Sequence, residues 1–251
     1  MDTLAGKTAV VTGASRGKGR VVALALARAG AQVLVHCGRS AHEAETVVRE
    51  IRGIGSRSDA ITVDLSTREG PHQLARRVRA IVGDRLDILV ANAGMSTRNV
   101  VRDNSVEDFD QQLALNVRAP FFLIQQLLPI MCMGSNVTFL LQPTRYATAQ
   151  LQSIDAAIGG AMETLIRHLA STLGERGIRV NALAEGSGQT ERLVTAGTVA
   201  RHDTAPEGQA PEGYAASRGI EGVGSVVAFL ASDAARWITG DIVRIDGRAT
   251  P

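Results

Sequence analysis

Short β-branched and aliphatic runs alternate along the chain with longer stretches whose apolar residues recur at helical spacing. The first run, Thr8 to Thr12, predicts a buried strand that leads through a glycine-rich turn into a helix ending at Gly30. Further strands are predicted over 31–36, 60–63, 86–91, 136–141, 178–184 and 241–245. Helices are predicted over 41–54, 67–83, 105–118, 120–132, 154–176 and 221–231. This alternation is typical of an α/β fold, with a doubly wound parallel sheet of about seven strands and helices on both faces.

The length and apolar content of the chain favour one domain. Its 251 residues, 45% of them hydrophobic, suit a single α/β domain over residues 1–251 with a full core. We find no internal repeat, linker or second domain. The stretch 186–213 is rich in Gly, Pro and Glu, and we interpret it as a mobile substrate loop.

Charge and composition exclude several classes of function. A net charge of +2, without a stripe of aromatic and basic residues, predicts no nucleic-acid partner. No apolar run reaches the length of a membrane span, and the N-terminus does not resemble a signal peptide. With Cys37 and Cys132 as the only cysteines, we expect a cytoplasmic protein. The histidines lack metal-ligand spacing, so no metal site is predicted.

The glycine-rich turn after the first strand is typical of a dinucleotide site of Rossmann type. Gly13, Gly17 and Gly19 let the backbone turn tightly and approach a pyrophosphate, whose charge the following helix N-terminus favours. Ser15 and Arg16 lie within the same turn and are further candidates for cofactor binding. The alternative is an ordinary connection between a strand and a helix.

The end of the second strand favours NADP(H) over NAD(H). An acidic residue at this point would bind the ribose hydroxyls of NAD, and the sequence has none there. Arg39, together with Arg16, suits a 2′-phosphate instead. The alternative is that both arginines are solvated surface charges.

Over essentially its whole length the sequence resembles the short-chain dehydrogenase/reductase (SDR) family. The motifs that carry the resemblance occur in the family's order: the glycine loop Thr12 to Gly19, Asp64 (the acid that contacts adenine), Asn92-Ala93-Gly94 (the motif shaping the cofactor cleft), Asn116 (of the catalytic tetrad), Arg179 to Leu183, and Trp237 to Gly240. The resemblance implies a Rossmann fold and an NAD(P)-dependent oxidoreductase acting on alcohols or ketones.

The remaining catalytic positions depart from the family. Its members use a tyrosine as general acid/base, a lysine four residues later that lowers the tyrosine pKa, and a serine on the preceding strand. The family's spacing from Asn181 puts Asp155 and Gly159 at the tyrosine and lysine positions, and Leu141 or Gln142 at the serine position. Asp155 is therefore either a replacement acid/base or a charge favoured near a helix start.

Two further departures fall where the resemblance implies the nicotinamide pocket. Lys18 stands where the family has a branched apolar residue, and Glu185 replaces a proline, whereas Gly186 and the cofactor-contacting Thr190 are kept. Lys18 paired with Glu185 or Asp155 would obstruct the nicotinamide ring, which leaves open whether NADP(H) still binds. The alternative is that Lys18 and Glu185 point to solvent.

Three functions are consistent with this sequence. The first is a pseudoenzyme inactive in hydride transfer on its own, acting as a partner or regulatory subunit in a homo-oligomer (dimer or tetramer) or with an active SDR paralogue. The second is a non-redox enzyme, such as an isomerase, dehydratase or cyclase, that binds a small-molecule substrate in the same cleft through Asp155, Glu185 and Gln142. The third is an NADP-dependent reductase with displaced catalysts, for which Tyr146 and Tyr214 are the only tyrosines.

Overall fold

The computed structural model describes residues 3–96, 103–141, 153–185 and 212–245, with side chains at all of these except 153, 185 and 212–221. Within them, seven parallel strands form one sheet in the order β3-β2-β1-β4-β5-β6-β7. The strands are β1 (Thr8–Val11), β2 (Gln32–Cys37), β3 (Ser58–Thr62), β4 (Ile88–Ala91), β5 (Asn136–Leu141), β6 (Arg179–Glu185) and β7 (Ile242–Ile245). The predicted doubly wound parallel sheet is therefore confirmed.

Helices cover both faces of the sheet. They are α1 (Gly17–Arg28), α2 (Ala41–Gly53), α3 (Gly70–Val82), α4 (Val106–Leu113), α5 (Ala119–Leu127), α6 (Ser153–Gly174) and α7 (Glu212–Ala231). One apolar layer packs α3, α5 and α6 against the sheet, and Val10 points into it. The other packs α1, α2 and α7, and receives Ala9 and Val11 from the same strand. This alternation along β1 is what a strand buried on both faces requires.

The order of the strands reverses at β1, which pairs with β2 on one side and β4 on the other. In open α/β sheets such a switch point leaves a crevice beyond the carboxyl ends of the two strands. The glycine-rich turn follows β1 and Asn92 follows β4, so both lie at this crevice.

The helices match the predictions to within about three residues at most ends, with two larger differences. The helices predicted over 105–118 and 120–132 are joined into one run by a π-helical turn, Ala114–Arg118. The helix predicted to begin at 221 begins at Glu212, so the last two residues of the predicted loop 186–213 belong to α7. The remainder of that loop lies outside the described residues.

The continuous helical run Val106–Ile130 corrects the prediction that no apolar stretch reaches membrane-spanning length. By length and composition alone it is long enough to cross a membrane. The prediction missed it because it treated 105–118 and 120–132 as separate helices. In the fold, α5 packs on α3 and the π turn packs on α6.

Candidate active site

The glycine-rich turn has a shape that side chains would prevent. Gly13 and Gly17 have φ values of +64° and +54°, in the left-handed region that L-residues rarely adopt. A Cβ on Gly19 would lie 2.3 Å from the Gly13 carbonyl oxygen. The loop therefore folds back on itself so tightly that glycine is required at both ends of the turn.

His36, at the end of β2, holds the start of this turn. The Gly13 amide donates to Nδ1 of His36 over 3.1 Å, and Nε2 of His36 lies 2.9 Å from the Val63 carbonyl oxygen. An amide only donates and a carbonyl only accepts, so the proton of the neutral ring is on Nε2. Burial lowers the pKa of His36 to about 4, which keeps the ring neutral near pH 7. No pattern in the sequence indicated this role, since the five histidines share no spacing.

Hydrogen bonds join the loops that follow β1 and β4. Thr12 Oγ1 accepts from the Asn92 and Ala93 amides, each over 2.9 Å. The Asn92 side-chain amide donates to the carbonyl oxygens of Thr12 (2.8 Å) and Gly13 (2.9 Å). The structure thus brings the glycine loop and the predicted Asn92-Ala93-Gly94 motif together at the switch point.

The N-terminus of α1 is open to an anion. Arg16 is its N-cap residue, makes no capping hydrogen bond through its side chain, and precedes a first turn without acidic residues. Uncapped amides and the helix dipole favour a phosphate group at such a terminus. Ser15 lies in the same turn. These residues fit the pyrophosphate of a dinucleotide.

Arg39 and Asp64 lie at the ends of neighbouring strands, β2 and β3. Asp64 accepts from the Ser66 hydroxyl (2.6 Å) and the Ser66 amide (2.9 Å). These bonds, and more weakly the charge of Arg39, hold the pKa of Asp64 below its usual range. Arg39 is exposed and close enough to lower the pKa of Asp64. This placement fits the predicted contacts of Arg39 with a 2′-phosphate and of Asp64 with an adenine amino group.

Asn116, the one tetrad residue retained in the sequence, ties the π turn to the loop after β4. Its side-chain amide donates to the Met95 carbonyl oxygen over 2.7 Å, and its Oδ1 accepts from the Met95 amide over 3.0 Å. A Cβ on Gly94 would lie 2.6 Å from Asn116 Oδ1. Glycine at 94 is thus required for this close approach. π turns are frequent at functional sites.

Asp155 and Gly159 line the same cleft as Asn116. The cleft has a volume of about 620 Å³, counting the space that opens to solvent. Its walls are mainly apolar and come from β4 and the loop after it, from β5, and from α5 and α6; they include Ala91, Met95, Pro120, Phe139, Leu140, Leu141, Ile158 and Met162. The register assigned to α6 from Asn181 therefore brings the tyrosine and lysine positions to the cleft.

Asp155 has a hydrogen-bond partner that the sequence did not reveal. The Ser96 hydroxyl donates to Asp155 Oδ2 over 2.6 Å. Partial burial raises the pKa of Asp155, and the Ser96 bond opposes that rise. The pair is separated by 59 positions, so no local motif could have indicated it.

Most of the remaining predicted site residues, Lys18 excepted, have no described side chain. Lys18 is half-buried in the first turn of α1, while the side chain of Glu185, at the end of β6, is not among those described. Gln142, Tyr146 and Thr190 lie outside the described residues, and only the backbone of Tyr214 is described, within α7. The predicted obstruction by Lys18 and Glu185 therefore stays a prediction, whereas the alternative pair of Lys18 and Asp155 is not formed, since Asp155 bonds Ser96 instead. Within 3–96, 103–141, 153–185 and 212–245, no cluster of three or more metal-ligating side chains occurs.

Comparison with known proteins identifies the family. A family model described as enoyl-(acyl carrier protein) reductase matches residues 13–250. Homologues described as short-chain dehydrogenases/reductases match nearly the whole chain, and the chain belongs to the SDR family.

Named relatives are reductases. Versicolorin reductase of Emericella nidulans is 33% identical over 259 residues, covering 98% of this chain and 96% of that protein. Trihydroxynaphthalene reductase of Colletotrichum orbiculare is 32% identical over 256 residues, covering 98% of this chain and 90% of that protein. The crystal structure of the landomycin C-6 ketoreductase LanV with bound NADP and rabelomycin superposes with a TM-score of 0.81 at 32% identity, covering 98% and 96%.

Proposed function

We propose that this SDR-family chain does not transfer hydride on its own and acts as a partner or regulatory subunit in an SDR assembly. The observation that carries the proposal is the position of Asp155 and Gly159. Both line the cleft with Asn116, which supports the interpretation that an aspartate and a glycine stand at the positions of the family's tyrosine and lysine. Among the described residues that line the cleft, none is a tyrosine or a lysine.

An aspartate is a poor substitute for the missing phenol. Reduction of a ketone needs an acid that protonates the developing alkoxide, and the family's tyrosine has a pKa tuned for this by its lysine. The ordinary pKa of an aspartate carboxyl group is about 4, whereas a general acid works best with a pKa close to the working pH, so a carboxyl group is poorly matched to protonating an alkoxide near pH 7. Loss of a general acid costs roughly 10²–10⁴-fold in rate.

The cofactor that fits the cleft is NADP(H). It would contact the glycine loop at Gly13, Ser15, Arg16, Gly17 and Gly19, then Arg39 and Asp64, and finally Asn92, Ala93, Gly94 and Thr190. When bound, it supplies a hydride donor or acceptor. The chain's own residues orient it: His36 and Thr12 fix the loop, and Asn92 bridges the two strands.

Binding of the cofactor can be tested separately from turnover. We expect NADPH to bind more tightly than NADH, and Arg39→Ala to remove most of that preference, as measured by calorimetry. Lys18→Ile tests the predicted obstruction: tighter binding by this variant supports it, and an unchanged affinity refutes it.

An exposed apolar groove supports assembly with a second subunit. Leu113, Val117 and Phe121 from the run α4 to α5 face Ala161 and Leu165 of α6 across it. Burying these apolar side chains against a second subunit would remove them from water. The partner is a second copy of this chain or an active paralogue, and we propose a cytoplasmic assembly.

The lead proposal is tested by mixing excess protein with NADPH and an aryl ketone and following NADPH oxidation. The chain alone is expected to give no oxidation above the buffer rate. Co-expression with an active paralogue is expected to yield a mixed complex on size-exclusion chromatography. Ketone-dependent oxidation by the chain alone would overturn the proposal.

Cofactor-free proton transfer is a second candidate. It is favoured by Asp155, a half-buried carboxylate with a raised pKa that is held by Ser96 in an apolar cleft. Incorporation of solvent deuterium next to a ketone carbonyl, lost in Asp155→Asn, would support it.

A third candidate, an NADP-dependent reductase with displaced catalysts, follows from the reductases among the relatives. Tyr146 and Tyr214 are then the residues to replace. If the chain proves active, loss of that activity in Tyr146→Phe or Tyr214→Phe would support this reading.

A further inference from the structure

The charge of the cleft differs in sign from what the family's catalytic lysine would supply. Two carboxylates, Asp155 and Glu163, line the cleft. No lysine, arginine or histidine is among the described residues that line it. At Asp155 the described part of the cleft therefore presents a negative charge that favours a cation.

Asp155 is a partly buried carboxylate with no charged partner among the described residues. Its one hydrogen bond among the described residues comes from the neutral Ser96 hydroxyl, at 2.6 Å to Oδ2. Within the described part of the chain, burial and this bond are the two influences on its pKa, and no positive charge there contributes. A partly buried carboxylate without a charged partner is under-stabilised, and a bound cation would supply what it lacks.

The rest of the cleft suits an apolar body attached to that cation. Met95, Phe139, Ile158 and Met162 line the wall near Asp155 on both the β-sheet and the α6 sides. Phe139 and Met162 are almost fully buried, so this part of the wall offers little to polar groups. Such a site combines apolar contact with one fixed charge, which is the usual composition of a small-molecule pocket.

Building on the proposed absence of hydride transfer, we propose that the cleft binds an apolar amine whose protonated nitrogen pairs with Asp155. The ammonium lies near the end of α6 at which the family's tyrosine and lysine act. The hydrocarbon part packs between Met95 and Phe139 on one side and Ile158 and Met162 on the other. A neutral alcohol of the same shape gains the apolar contacts without the charge-assisted hydrogen bond.

The probes for this proposal are 3-phenylpropylamine and 3-phenylpropanol, which differ only in the group that would meet Asp155. Calorimetric titration near pH 7 is expected to show the amine binding roughly tenfold or more tightly than the alcohol. Asp155→Asn keeps the shape of the side chain and is expected to abolish that preference. Glu45→Gln, which removes an exposed carboxylate on α2, is the matched control and is expected to keep it.

Two results would overturn the proposal: equal affinity of the unmodified chain for both probes, or an amine preference that survives in Asp155→Asn. Thermal unfolding of each variant verifies that it is folded. Neither titration involves hydride transfer. If the chain oxidised NADPH, the proposed function would be refuted, but the two titrations would still test amine binding.

Discussion

At the scale of single residues, His36 shows how a buried polar side chain shapes the nucleotide loop. The ring accepts from the Gly13 amide and donates to the Val63 carbonyl oxygen, and it does both only while neutral. Its pKa falls from 6.5 to about 4 on folding because burial disfavours the charged form. The unfolded chain therefore binds more protons than the folded chain between these two values.

This shift predicts acid sensitivity of the fold. The contribution of His36 to stability is complete above about pH 6.5 and is lost as the pH falls towards about 4. By linkage the loss amounts to at most roughly 3 kcal/mol. Urea unfolding of the native chain and His36→Asn over this range is expected to show a steeper fall for the native chain.

The control for this prediction is His42→Asn, which replaces an exposed histidine on α2. Its stability should follow that of the native chain at each pH. Parallel curves for the native chain and His36→Asn would mean that His36 does not titrate as its burial implies. Asp64 is present in all three proteins, and its pKa is lowered mainly by its bonds to Ser66; only the small influence of the His36 charge on it is lost in His36→Asn.

At the scale of elements, the connection from β1 to α1 is determined by close packing. Gly19 lies in the first turn of α1, where a Cβ would fall 2.3 Å from Gly13 O and 2.4 Å from Asn92 Nδ2. The same Asn92 amide bridges the ends of β1 and β4. A side chain at 19 therefore displaces the helix start and the Asn92 bridge together.

Gly19→Ala is accordingly expected to lower the free energy of unfolding by roughly 1–3 kcal/mol, the usual cost of overpacking. It should also weaken NADPH binding, as measured by calorimetry. The matched control is Gly53→Ala, at the last position of α2, where nothing lies within 4 Å of the new Cβ. It should lower neither the free energy of unfolding nor the affinity for NADPH. Native-like stability of Gly19→Ala would show that the turn is not tightly packed.

Element positions were largely predictable because they follow from local pattern. The β-branched run at Thr8 to Thr12 and the glycines at 13, 17 and 19 indicate strand, turn and helix without tertiary information. The π turn at Ala114–Arg118 was not predictable, since one extra residue in a turn leaves the helical pattern nearly unchanged. The bonds of His36 and Ser96 join distant segments, so only the folded chain reveals them.

At the scale of the whole molecule, the groove between α4–α5 and α6 is the surface that we propose for assembly. Phe121 is 39% exposed there and stacks edge to face on Phe122, with ring centroids 5.3 Å apart. Leu165 of α6 lines the opposite side. Burying these side chains against a second subunit removes apolar surface from water.

Phe121→Glu is therefore expected to convert the assembly into a monomer, because it would bury a charge at the subunit interface. Light scattering after size-exclusion chromatography measures the mass directly. Ile54→Glu, a similar change at an exposed apolar residue just beyond α2, should leave the mass unchanged. An unmodified chain that is already monomeric would contradict this assignment of the interface.

We propose that this cleft lacks hydride transfer because Asp155 and Gly159 stand where the family has its tyrosine and lysine. The most direct test restores the family's residues with Asp155→Tyr, Gly159→Lys and Gln142→Ser, and follows NADPH oxidation with an aryl ketone. We predict that the restored chain oxidises NADPH roughly 100-fold or more faster than the unmodified chain. The claim would be contradicted if the unmodified chain turned over at roughly 1 s⁻¹ or faster, or if the restored chain bound NADPH and showed no gain.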